Sequence, residues 1–145
     1  LGGELETLLE NLKAWKKKGM WLEITTLIVP TKNDSEEEIH AIASFIADEL
    51  GVDTPWHLSA FHPDFHEQHL PHTPLSTLKR AYEIGKNAGL HHIYIGNAGV
   101  ENTTYCFTCK KVLIERKGFE VIENFVEESR CPKCKTPLAG VFDEY

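Results

Sequence analysis

The sequence predicts an α/β fold, a parallel sheet covered by helices, followed by a small unit organised by four cysteines. Three observations predict it. The order helix, glycine, strand occurs three times, with the helix-ending glycines at Gly19, Gly51 and Gly89; this is the pattern of α/β units, whether in an open sheet or a (β/α) barrel. Polar, Pro and Gly residues gather where the three strands end, at 29–34, 59–72 and 96–102, the edge at which such sheets place ligands. Finally, Cys106-Phe107-Thr108-Cys109 and Cys131-Pro132-Lys133-Cys134 form two Cys-x2-Cys pairs separated by 21 residues.

Leu5, Leu8, Leu9, Leu12 and Trp15 recur at helical spacing and predict a helix from about Glu4 to Lys18. Gly19 sits where a left-handed cap belongs, and Lys16-Lys17-Lys18 complements the helix dipole. Gly2-Gly3-Glu4 reads as the entry to this helix. Met20 to Val29 is rich in β-branched residues and stops at Pro30, the reading of a largely buried strand. Its polar members Glu23 and Thr25 share a face that would point into a lumen, with Leu22, Ile24 and Ile28 packed on helices.

Ser35 and Glu38 form a capping box that opens a second helix, whose buried stripe is Ile39, Ile42, Ala43, Ile46 and Leu50. Pro55 to Pro63 follows as a strand running into a histidine-rich loop. Thr73-Pro74 is the expected cap and first residue of a third helix, with Leu75, Leu78, Ala81 and Tyr82 on its buried side. His91 to Ile95 is the third strand, closing on Gly96-Asn97. Residues 1–102 thus form one unit and 103–145 another, the latter with a hairpin from Val112-Leu113-Ile114 and Phe119-Glu120-Val121-Ile122. Three parallel strands leave two open edges, so either neighbouring strands lie upstream in a longer chain, the favoured reading, or an oligomer supplies the cover.

A net charge of −7 weighs against non-specific nucleic-acid binding. No apolar run approaches the roughly 20 residues of a membrane span, and no export signal is visible. The chain is expected to be cytoplasmic, since paired Cys-x2-Cys spacing suits metal ligation in a reducing compartment better than disulfides. Each Cys-x2-Cys turn offers two thiolates, and Cys106, Cys109, Cys131 and Cys134 together complete an S4 shell suited to structural Zn2+. A single iron, an iron-sulfur cluster or redox use shares that spacing. Among His57, His62, His66, His69 and His72, Pro71 breaks any helix that would align the last three, and His62 at the strand's end is the candidate ligand contact. The competing readings are a non-catalytic binding module that docks a partner through the cysteine unit, and a metal-dependent hydrolase using the histidine loop.

Residues 21–30, Asn33-Asp34, 55–59, Phe61-His62-Pro63 and 94–97, with the cysteine pairs after them, resemble one family nearly end to end. It is the radical S-adenosylmethionine enzymes of the AmmeMemoRadiSam system, related to pyruvate formate-lyase activating enzymes. The resemblance implies that the chain is the C-terminal part of a partial (β/α)6 TIM-like barrel, followed by a zinc-ribbon-like tail. It implies that His62 helps hold the adenine end of S-adenosylmethionine, with Val29 and Ser59 nearby; Thr25, Glu23 and Asn97 are lumen or rim candidates by geometry. The family's chemistry needs a [4Fe-4S] cluster on a Cys-x3-Cys-x2-Cys loop, and no such loop occurs in these 145 residues. The implied partner is therefore the N-terminal half of the barrel, which would bring the cluster. A protein of the AmmeMemoRadiSam system is the possible substrate or second partner.

Overall fold

The computed structural model describes residues 3–64, 67–100, 102–118 and 120–142; the readings that involve Gly2, His66 and Phe119 lie partly outside them. Helix α1 (Leu5–Lys17) leads to β1 (Ile24–Ile28), α2 (Glu36–Phe45), β2 (Trp56–Ala60), α3 (Leu75–Asn87) and β3 (Ile93–Gly96). A second group follows: β4 (Thr104–Tyr105), β5 (Val112–Lys117) and β6 (Glu120–Asn124).

The first three strands form a parallel sheet in the order β1-β2-β3, with Thr25, His57 and Tyr94 in one row and Leu27, Ser59 and Gly96 in the next. This bears out the α/β reading. Alternation divides the sheet into two unlike faces. Ile28, Trp56, Leu58, Ala60, Ile93 and Ile95 are buried and pack with Ile39, Ala43 and Ile46 of α2 and with Leu78, Ala81 and Ile84 of α3. Each such large aliphatic side chain contributes about 1.5–3 kcal/mol when fully buried. Trp56 carries its polar end into this core by donating from Nε1 to Thr26 Oγ1 at 2.9 Å. Helix α3 approaches closely because residue 85 is glycine: a Cβ there would stand 2.7 Å from Ile93 Cδ1 and 2.9 Å from Trp56 Cζ3.

The opposite face is not covered by a helix among the described residues. It carries Thr25, Leu27, His57, Ser59, Tyr94 and Gly96, all exposed or half-buried. Parallel sheets are ordinarily buried on both sides; among the described residues this one is helix-covered on one side.

Three asparagines finish the strands, each acting as a peptide group beyond the sheet. Asn33 accepts from Val29 N at 2.7 Å and donates to Leu27 O at 3.0 Å. Asn97 accepts from Ala60 N at 2.8 Å and donates to Ala60 O at 2.9 Å. Asn102 does the same for Ile95, at 2.9 and 2.8 Å. These bonds satisfy backbone groups that would otherwise lack partners at a sheet margin.

Several boundaries differ from expectation. β1 is five residues rather than Met20 to Val29, since its pairing begins where Ile24 N meets Pro55 O. β3 spans Ile93–Gly96 rather than His91 to Ile95, because His91 N bonds Val52 O. Pro74, not Thr73, holds the N-cap position of α3. Thr73 is buried and joins two strand ends, its hydroxyl donating to Ile28 O at 2.5 Å and accepting from Phe61 N at 2.8 Å. The Ser35 cap forms, but Glu38 returns its carboxylate to the Ser35 hydroxyl at 2.7 Å rather than to the backbone. Helix α2 continues as a wider turn, Ile46–Leu50, that buries Ile46 and Leu50. Leu75 is exposed, while Thr77 and Ile84 are buried instead. The apolar stripe of α1 is not buried; Leu5, Leu8 and Trp15 are exposed, and Lys16 Nζ ties the helix to Thr54 Oγ1 at 3.1 Å.

The second group is an antiparallel sheet in the order β4-β5-β6, with the expected hairpin as β5 and β6. Its separate core is Cys106, Leu113, Cys131 and Leu138.

Candidate metal centre and open sheet face

The two Cys-x2-Cys turns are built alike. Lys110 N donates to Cys106 O and Lys135 N to Cys131 O, both at 2.9 Å. Cys106 N then donates to Lys111 O at 2.8 Å, and Cys131 N to Thr136 O at 2.9 Å. Each turn closes with a lysine in the left-handed region, φ 60° at Lys110 and 58° at Lys135. Two copies of one tight knuckle therefore aim four sulfurs at a common point.

All four Sγ atoms lie within 4.8 Å of one another. Cys106 and Cys134 are 3.5 Å apart, Cys109 and Cys131 3.6 Å. A tetrahedral shell with metal–sulfur bonds of about 2.3 Å has sulfurs about 3.8 Å apart, so the donor set fits one metal ion. The thiols are not equivalent. The Thr136 hydroxyl, 3.1 Å from Cys134 Sγ, and the Thr136 amide lower the Cys134 pKa to about 6. At Cys109 the Lys111 amide acts to lower the pKa, but burial and the neighbouring sulfurs push it up to about 11. A bound cation would remove this competition by favouring all four thiolates.

The tail is fastened to the α/β unit beside the metal centre. Phe107, inside the first knuckle, stacks flat on His91, with ring centroids 4.0 Å apart; His91 Nδ1 is 2.7 Å from Asp53 Oδ1. Farther along, Tyr94 Oη meets Thr104 Oγ1 at 2.8 Å. Arg116 Nη1 donates to Thr104 Oγ1 at 2.7 Å and to Asn102 O at 3.2 Å.

Between the tail and the open sheet face lies a cleft of about 1120 Å³. On its sheet wall Glu23 Oε2 meets His57 Nε2 at 2.8 Å, and Glu23 Oε1 accepts from Trp21 Nε1 at 3.0 Å. Burial acts to raise the Glu23 pKa, but these two hydrogen bonds outweigh it and hold the carboxyl below its ordinary value. His57 stacks on Tyr94, with centroids 5.3 Å apart. It is thus a hydrogen-bonded histidine of the open face, outside the core.

The other sequence-predicted residues fall along the strand ends. Ser59 lies half-buried on the open face beside Gly96, whose missing Cβ would meet Ser59 Oγ at 3.4 Å. Thr25 is exposed on the same face, and Val29 is half-buried at the end of β1. Asn97 spends its amide on Ala60. His62 is exposed in the loop after β2, edge-on to His72 at 4.3 Å. In the sequence Tyr94 had no role beyond its place in the 94–97 match, and nothing there signalled Arg116.

No helix of the described residues is long and apolar enough to cross a membrane. No protein-family model matches the chain. It is 45% identical, over 134 residues, to an uncharacterized protein of Methanocaldococcus jannaschii; the match takes in 90% of this chain but 40% of that protein's length. In fold it is similar to a domain of pyruvate-formate lyase-activating enzyme from Bacteroides vulgatus, with a TM-score of 0.54 and 19% identity over 63% of this chain and 53% of that one.

Proposed function

We propose that the chain is the C-terminal part of a radical S-adenosylmethionine enzyme of the activating-enzyme type, in which three strands close a partial (β/α)6 barrel and the cysteine tail is a zinc-ribbon-like appendage. The observation that carries this reading is the two-faced parallel sheet, apolar and helix-covered on one side, polar and open on the other. Parallel strands are ordinarily covered on both faces, so the open polar face would line the interior of a barrel completed by further strands. The fold likeness to an activating-enzyme domain and the match to 40% of a longer relative support it. So does the outer edge of β1, which has no strand partner among the described residues.

In this reading the residues at the carboxyl ends of β1 to β3 form one wall of the cofactor site. Gly96 has no side chain and lies beside half-buried Ser59 on the open face, where the adenine would rest. His62 in the loop after β2 and Val29 at the end of β1 would contact the ring, with Thr25 nearer the start of β1 on the same face and Asn97 at the rim. The cofactor supplies the radical chemistry; its [4Fe-4S] cluster would be held by a Cys-x3-Cys-x2-Cys loop in the N-terminal half of the barrel, so these residues bind and orient without carrying the reaction. The four cysteines hold Zn2+ as a closed structural site, since an S4 shell leaves no open position. A protein of the AmmeMemoRadiSam system is the proposed substrate or partner, and the cytoplasm the compartment.

The test is S-adenosylmethionine binding by the full-length protein, followed by equilibrium titration. His62→Ala is expected to weaken binding about tenfold, the loss of one to two kcal/mol of contact, with the absorbance of the cluster unchanged. Unaltered affinity in that variant would remove His62 from the site, and a full-length protein lacking the Cys-x3-Cys-x2-Cys loop would remove the reading itself.

A further inference from the structure

Arg116 is half-buried at the wall of the cleft; its hydrogen bonds run to neutral oxygens, Thr104 Oγ1 at 2.7 Å and Asn102 O at 3.2 Å, both through Nη1, and its guanidinium carbon lies over the Tyr94 ring. Among the described residues it has no carboxylate within ion-pair distance. Glu23 on the facing wall feels the Arg116 charge across the cleft, but its oxygens are hydrogen-bonded to Trp21 and His57, and among the described residues its one ion-pair contact is with His57. A half-buried arginine whose counter-charge stands off across a cleft keeps donors free for a nearer anion. A planar fork with donors to spare suits a carboxylate or phosphate, which it can take through two parallel hydrogen bonds.

The neighbouring surface is shaped to receive such a group. The Tyr94 ring lies 5.6 Å from the guanidinium carbon and stacks in turn on His57, giving a flat aromatic wall. Lys117 lines the same cleft. We propose that this cleft is a binding site for a small oxyanion-bearing molecule, with Arg116 as its anion contact and the Tyr94–His57 stack as the wall against which the rest of the molecule lies. This goes beyond the cofactor wall described above: it uses the N-terminal row of the open face and a residue of the tail, and it stands whether or not the radical reading does.

The test is a titration of the isotope-labelled full chain, followed by NMR, with inorganic phosphate in one arm and succinate in the other. Saturable shifts of the Arg116 side-chain resonance and the Tyr94 ring in either arm are expected; the arm that saturates first distinguishes a phosphate from a carboxylate ligand. Arg116→Gln should weaken that binding at least about tenfold, as loss of a charge-assisted contact does. Arg116→Lys, which keeps the charge and is the milder change for the fold, should retain part of it. Two outcomes overturn the proposal: linear, non-saturating shifts shared with the exposed lysines, or saturable binding that neither variant alters while the Cys106–Cys134 knuckles remain intact.

Discussion

Phe107 and His91 lie face to face, ring planes 2° apart and centroids 4.0 Å apart. One ring belongs to the first metal knuckle and the other to the segment leading into β3, so the stack joins the two cores of the molecule. Stacked aromatic pairs contribute about 0.5–1.5 kcal/mol beyond the area they bury. A double-mutant cycle of Phe107→Ala and His91→Ala, read by chemical denaturation, should return a coupling energy in that range. A coupling near zero would mean that the ring stack does not help to hold the tail.

The metal centre predicts a titration. Metal binding needs four thiolates, and in the metal-free chain Cys134 ionises near about 6 while Cys109 holds its proton to about 11. Affinity for Zn2+ or Co2+ should therefore fall as pH drops and continue to rise well above neutrality, with proton release on binding. One equivalent of metal is expected, and Co2+ should give the intense visible bands of tetrahedral thiolate ligation. Cys131→Ser, or chelation, should unfold β4 to β6 while the β1–β2–β3 amides stay protected in hydrogen exchange. Substoichiometric metal in the intact chain would contradict the S4 assignment.

His92 is buried, and its Nε2 has no hydrogen-bond partner among the described residues. Burial pushes its pKa below the ordinary 6.5. The folded state keeps the ring neutral while the unfolded chain takes up a proton below about 6.5, so stability should decline as pH falls through and beneath that value. His92→Phe should flatten this part of the urea-midpoint profile. An unchanged slope would show that other groups set it.

Gly85 is where α3 meets the sheet. The added methyl of Gly85→Ala would collide with Trp56 Cζ3 at 2.9 Å and Ile93 Cδ1 at 2.7 Å. The gain in helix propensity is about 1 kcal/mol, against an overpacking cost of about 1–3 kcal/mol in a well-filled core. A net loss of about 1 kcal/mol is expected in thermal or urea unfolding, because the Trp56 ring, pinned by Thr26, has little room to move.

The histidine-rich loop was legible as a loop and little more. Pro63 and Pro71 announce it, but pairing of His62 with His72 depends on how the chain returns toward α3, which no local pattern encodes. Thr73 makes the same point: its Ser/Thr-Pro context reads as a helix cap, whereas contacts with residues 45 and 12 positions away turn it into a stitch between strands. The cysteine centre was legible at once, because Cys-x2-Cys spacing is a local rule and two copies suffice for a shell. Arg116 was invisible, since one arginine in a hairpin looks like any solvated charge until the tail folds against Tyr94.

The sequence by itself determined the order of helices and strands and the four-cysteine donor set, because helical stripes, β-branched runs, glycine stops and paired cysteines act over a few residues. Tertiary structure alone decided which face of the sheet stays open, how Asn33, Asn97 and Asn102 close its strands, and what lines the cleft. Those features arise from contacts between segments remote in the chain, where packing of one surface on another, rather than local preference, sets the outcome.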